Sequence, residues 1–212
     1  MNYCISIALY PSSEGKNLLY GKLKKIDFRV NMNKIYGHLK TITHHKFKVM
    51  HLCFRCHLYK QGLLHDLSKY SYIELKTGFH YYQGFRSPID AEKEEKGYSL
   101  GWLHHKGRNK HHWEYWLDFG KDGIYACKMP RNYVIEMFCD RVAASMIYQG
   151  KDYTDASALN YYIQGRNHIL IHKDTDALIY HLLEYLSTHG LDETVCYIVT
   201  HKKTGFPLDK EQ

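Results

Sequence analysis

His65 and Asp66 stand side by side in QGLLHDLSKY, directly behind the apolar pair Leu63 and Leu64. An ionised carboxylate in apolar surroundings is tolerated when it is paired or bound to a cation, so one reading of this pair is a metal site. The other is a helix N-terminus at which Asp66 caps the first turn or complements the dipole. The remaining histidines bear on the choice. The chain has 16, and they cluster: His44, His45, His51 and His57 precede the pair, and His104, His105, His111 and His112 form a second group. Asp140 adds a carboxylate inside a later apolar run. Imidazoles with carboxylates suit a divalent transition metal such as Fe, Mn, Zn, Co or Ni, whereas Mg and Ca want more oxygen. The set is large enough for one ion or for two with a bridging carboxylate. A two-metal site suits phosphoester hydrolysis because it activates water and stabilises both the attacking and the leaving oxygen. The second histidine group also reads as a His-rich surface turn. The lone CxxC of Cys53 and Cys56 reads as packing, since the two share a helix face and no second CxxC follows.

Helices must position these groups. From Lys34 to Tyr59 apolar residues recur at three- and four-residue steps, which predicts one long or broken helix carrying His45. A central helix follows the Tyr59–Gly62 turn, carries the His65-Asp66 pair and ends near Ser68; Ser68 and Ser71 offer caps for a further helix through Tyr82, stopped by Gly84. Ser87 before Pro88 marks the next start, with Asp90, Glu92, Glu94 and Glu95 in the opening turns of a helix reaching His105. Gly107 to Lys110 reads as a turn, and 118–130 as a polar link. A strong helix over Asn132–Tyr148 sets Asp140 on an apolar face, and helices over Ala156–Gln164, Thr175–Thr188 and Glu193–His201 complete an all-α fold without strands. Residues 1–31 have no sustained period and read as a loose extension, with Met32 a possible natural start; 32–150 form the metal-binding helical core, and 151–212 supply C-terminal helices on the same domain.

Composition narrows the function classes. A chain of 212 residues fits one domain. No apolar run approaches the roughly 18 residues of a membrane span, and MNYCISIALY lacks the basic start of a secretory signal. Six cysteines without such a signal fit reduced thiols and a cytoplasmic setting. The formal charge of +7 is scattered, with no basic run of five, so a small anionic substrate fits better than nucleic acid. Neither GxxxxGK[ST] nor GxGxxG occurs.

Three strings carry a resemblance. HHKFKV, GLLHDLSK and FCDRVAAS resemble the first-ligand helix, the His-Asp signature and the final Asp-bearing helix of the HD superfamily of metal-dependent phosphohydrolases, over Asn33 to about Gly150. HHKGRNKHHWEYW, after YYQGFRSP, more closely resembles an uncharacterised domain-of-unknown-function family that looks like an offshoot of that superfamily.

The resemblance implies an HD-like helical bundle with His45, His65, Asp66 and Asp140 around one metal and Asp66 bridging to a second. For the second it implies ligands from the later cluster, His104 and His111 first, with His105 and His112 supporting or replacing them. It also implies that Lys69 lies near the substrate phosphate; Arg86 and Arg108 can add bidentate contacts. Glu74 and Glu114 are candidates for a general acid or base. The expected activity is hydrolysis of a phosphate ester of a nucleotide or another small metabolite. Its rivals are a dinuclear-iron oxygenase on the same scaffold and a non-catalytic ligand-binding module.

Overall fold

The computed structural model describes residues 20–208, with side chains from residue 32 onward. Among the described residues eight α-helices run in order: α1 Tyr20–Arg55, α2 Tyr59–Leu64, α3 Tyr72–Tyr81, α4 Pro88–Lys96, α5 Leu100–Lys106, α6 Arg131–Gln149, α7 Ser157–Arg166 and α8 Lys173–His201. The all-α expectation holds apart from one small departure. Within the stretch read as a polar link, strands β1 Leu117–Gly120 and β2 Gly123–Ala126 form an antiparallel hairpin around the two-residue loop Lys121-Asp122. Positive φ at Gly123 lets the chain reverse so tightly. Of the extension read at residues 1–31, residues 1–19 lie outside the described residues, and the backbone of α1 is already helical from Tyr20.

Helix α6 is the centre of the packing. Val134, Ile135, Phe138 and Val142 on α6 are shielded from solvent, together with Val49, Leu52 and Cys53 of α1 and Leu182, Leu183 and Leu186 of α8. Burying each of the larger side chains contributes about 1.5–3 kcal/mol. Cys53, Cys56 and Cys139 are free thiols in this core. The two helices expected over Thr175–Thr188 and Glu193–His201 are the two halves of α8, which are divided at Gly190, where φ of 78° and ψ of 173° are not helical. The helix expected to reach His105, with Gly97 as a point of interruption, is divided there: Gly97 adopts φ 77° and ends α4, and Ser99 caps α5 by accepting a hydrogen bond from Trp102 N. Among the described residues no helix is long and apolar enough to cross a membrane.

Candidate metal centre

The His-Asp pair does not lie within a helix. Helix α2 ends at Leu64, and Asp66 takes a left-handed conformation (φ 53°, ψ 24°) before the 3-10 turn Leu67–Tyr70. Consecutive helical residues point about 100° apart; the left-handed step departs from that path and lets both side chains face one buried volume. Aspartate is among the few non-glycine residues that adopt this backbone without large strain. Lys46 of α1 donates to the carbonyls of Leu63 (2.9 Å) and His65 (2.8 Å), pinning the end of α2 beside the turn of α1 that carries His45.

The structure brings the four expected residues of the first group together. His45 Nε2 is 2.9 Å from Asp140 Oδ1 and 3.8 Å from Asp66 Oδ2; His65 Nε2 is 3.4 Å from Asp66 Oδ2 and 3.5 Å from Asp140 Oδ1. Such spacings match those of atoms sharing one cation at roughly 2.0–2.2 Å. The other oxygen of Asp66 faces a second group: Oδ1 lies 3.3 Å from His105 Nε2 and 3.5 Å from His111 Nε2, and His105 Nε2 is 2.9 Å from His112 Nε2. In each group the candidate ligand atoms all fall within 4.8 Å of one another. Asp66 belongs to both.

The second group differs from its expected membership. His111 is there, but His104 is not: its Nδ1 lies 2.6 Å from Glu74 Oε1, and His105 and His112 stand beside Asp66 instead. The phase of α5 explains the exchange. Gly101 packs against Thr77 of α3, with no room for a Cβ, and His105, four residues on, shares that buried face; His104 is turned aside. His111 and His112 both enter because the chain has left the helix by Gly107. Asn109 steadies the turn by donating from Nδ2 to Ser68 Oγ (2.7 Å) and to the His105 carbonyl (2.8 Å).

Carboxylates outside the two groups orient the rings. Glu136 Oε1 is 2.9 Å from His65 Nδ1 and 3.1 Å from His111 Nδ1, so one oxygen holds a ring from each group and turns its Nε2 inward. Glu74 does the same for His105 through Oε2 at 2.8 Å. Glu136 was not among the sequence candidates, although its place four residues before Asp140 on α6, in an otherwise apolar stretch, is a readable signal. Glu114 is half-buried and outside both groups; burial raises its carboxyl.

Electrostatics favour a cation here. Asp66 is 1 % exposed, yet its carboxyl is held well below the usual range: burial opposes ionisation, but His65, Lys69 and His105 outweigh it. Asp140 is lowered in the same way by His45 and His65 against burial. Burial disfavours a charge on His65, but Asp66, Asp140 and Glu136 raise it well above the usual histidine range. Among the described residues, four of the seven buried side-chain atoms outside the hydrogen-bond network belong to the centre: His65 Nε2, His111 Nε2 and both oxygens of Asp66, of which Oδ2 is ion-paired with Lys69. Orphaned polar atoms are normally rare in a folded interior, and these four converge between the two groups.

The expected substrate contacts separate. Lys69 Nζ forms an ion pair with Asp66 Oδ2 at 2.6 Å, its ammonium strengthened by Asp66 and Asp140 against burial. Arg86 lines a cavity that Lys69 also lines, but its guanidinium is engaged with Gln83 Oε1 (2.9 Å) and Glu94 Oε1 (2.8 Å). Arg108 is exposed and donates to the His104 carbonyl at 3.5 Å.

The class these observations define is an all-α protein with a buried histidine-carboxylate centre that could hold a metal ion. A family profile matches residues 34–185, and the chain belongs to that family, the family of unknown function DUF5662. Every residue of the two groups lies within the match. No curated protein and no solved structure matches the chain.

Proposed function

We propose that the protein is a metal-dependent phosphohydrolase of HD type, with His45, His65, Asp66 and Asp140 holding one divalent transition-metal ion and Asp66, His105, His111 and His112 holding a second. The observation that carries this reading is the division of Asp66: Oδ2 faces one group and Oδ1 the other, both oxygens buried, Oδ1 without a hydrogen bond and Oδ2 ion-paired with Lys69. Bound there, such ions supply Lewis acidity that lowers the pKa of a water and neutralises phosphoryl oxygens.

The chain's own residues supply the rest. Glu136 and Glu74 orient His65, His111 and His105 through their Nδ1 atoms, so that each Nε2 faces the centre. Lys69 brings a permanently charged ammonium to the edge of the centre nearest the cavity, where it can pair with an equatorial phosphoryl oxygen. The buried positions of His65, His105 and His111 keep bulk water from these contacts and so strengthen them.

The test is metal analysis of protein purified without added metal or chelator, followed by assay of phosphate monoesters. Metal-dependent release of phosphate, abolished by chelation and restored by the metal, is the expected result. A bound iron pair that consumes dioxygen and releases no phosphate would replace this reading with the oxygenase; ligand binding without metal or turnover would replace it with the non-catalytic module.

A further inference from the structure

The cavity beside Lys69 has a size and a lining that speak to the substrate. It measures about 90 Å³ and lies among α1, α3 and the start of α4. Pockets for drug-sized ligands run to several hundred Å³. A three-carbon polyol fits such a space; a nucleoside, with a base and a ribose, needs several times more.

The wall formed by His38 and Tyr82 is closely packed. A Cβ on Gly78 would strike the His38 ring, and one on Gly37 would come within 2.6 Å of the Tyr82 ring. Helix backbone therefore abuts both rings and holds that side of the cavity in place. Its polar groups are mostly uncharged. Thr41 Oγ1 and Tyr82 OH lie 3.0 Å apart, the Tyr148 hydroxyl is a third, and His38 is a neutral imidazole, its pKa lowered to about 4 by burial and by Lys69. Of the carboxylates, Glu74 is committed to His104 and His105. Of the cations, Arg86 is paired with Glu94 and Lys69 with Asp66; Lys69 is the one that stands at the metal-binding end, where an anion held by the centre would meet it.

Building on the hydrolase reading, we infer that the substrate is a small hydroxylated alcohol carrying one phosphate, without a nucleobase: the phosphate meets Lys69 and the centre, and the hydroxyls meet His38, Thr41, Tyr82 and Tyr148. An alkyl chain would offer these polar groups no further hydrogen bonds, and a second phosphate would have to compete with Glu94 for Arg86.

Binding separates this inference from the reading beneath it. The probes are the phosphonate isosteres of glycerol 3-phosphate and of adenosine 5′-monophosphate, which bind as phosphate esters do but cannot be hydrolysed. Calorimetry on the protein as purified is expected to show the glycerol-type phosphonate binding at least tenfold more tightly. His38→Ala, which opens the cavity, should shift that ratio at least tenfold toward the adenosine probe. Tyr148→Ala, at a position more than half exposed and safe for folding, should weaken the glycerol-type probe by roughly three- to tenfold, the loss of one hydrogen bond. Equal or tighter binding of the adenosine probe, no binding of the glycerol-type probe, or indifference to Tyr148→Ala would overturn the inference. If the expected preference appears but no phosphate ester is turned over, the pocket stands and the hydrolase reading falls. Hydrolysis of adenosine and glycerol monophosphates with equal kcat/KM would do the reverse.

Discussion

Lys69 Nζ lies 2.6 Å from Asp66 Oδ2, the oxygen that faces His45 and His65. An ammonium there holds the carboxylate ionised, yet it is not part of either ligand group. Lys69→Met keeps the length of the side chain and removes its charge. Metal stoichiometry is expected to stay unchanged, with affinity equal or higher because a competing cation is gone, while kcat/KM for a phosphate monoester falls by roughly 10²-fold. Unchanged kcat/KM would remove Lys69 from the substrate's surroundings.

Glu136 touches one ring from each group, His65 and His111, whereas Glu74 touches His105 of the second group alone. Glu136→Gln should therefore weaken both metal-binding events, each by about 10- to 100-fold, and Glu74→Gln one of them. Metal titration followed by calorimetry reads the difference. Equal effects of the two variants would contradict the assignment of the rings.

His105 and His104 are adjacent in sequence and unlike in placement. His105→Ala is expected to lose one of two metal equivalents, and His104→Ala to retain both, since its ring rests on Glu74 away from Asp66. Elemental analysis of the two purified variants checks this.

His38 gives the fold a dependence on pH. Its imidazole has a pKa of about 4 in the folded chain against 6.5 as the ordinary value, because burial and Lys69 disfavour its charge. Between those values the unfolded chain binds more protons, so stability present above pH 6.5 is lost as pH falls toward 4. At pH 4.5 the loss from this group is about 2–3 kcal/mol. Denaturant unfolding of metal-free protein at pH 7 and pH 4.5 should show that increment in the native chain and its absence in His38→Gln. An identical pH slope in both would refute the assignment.

How much of this was legible in the sequence varies with the distance over which structure is decided. The first group was legible through the resemblance, in which HHKFKV, GLLHDLSK and FCDRVAAS single out His45, the His65-Asp66 pair and Asp140, the first and last on long helices with a clear apolar period. The left-handed turn at Asp66 was not, since no glycine marks it and the conformation is imposed by what surrounds the side chain. The second group was legible as a cluster but not residue by residue: whether position 104 or 105 faces inward depends on the cap at Ser99 and the close approach at Gly101, which only α3 determines. Glu136 was missed because a glutamate in a helix ordinarily faces water, and the fact that this one is 5 % exposed follows from α6 being covered on nearly every side. The hairpin did leave a signal, Asp122-Gly123 between alternating apolar residues, that the surrounding helices overshadowed.

The central claim, that Asp66 joins two metal-binding groups, is tested most directly by metal content in Asp66→Asn. Asparagine tolerates the left-handed backbone at this position as aspartate does, so the fold is retained while the bridging charge is removed. The native chain, purified without added metal, should carry up to two equivalents of a divalent transition metal, and the variant close to none, with unchanged helix content by circular dichroism. Equal metal in both proteins, or none in the native chain even after exposure to Mn, Fe, Co, Ni and Zn salts, would contradict the account.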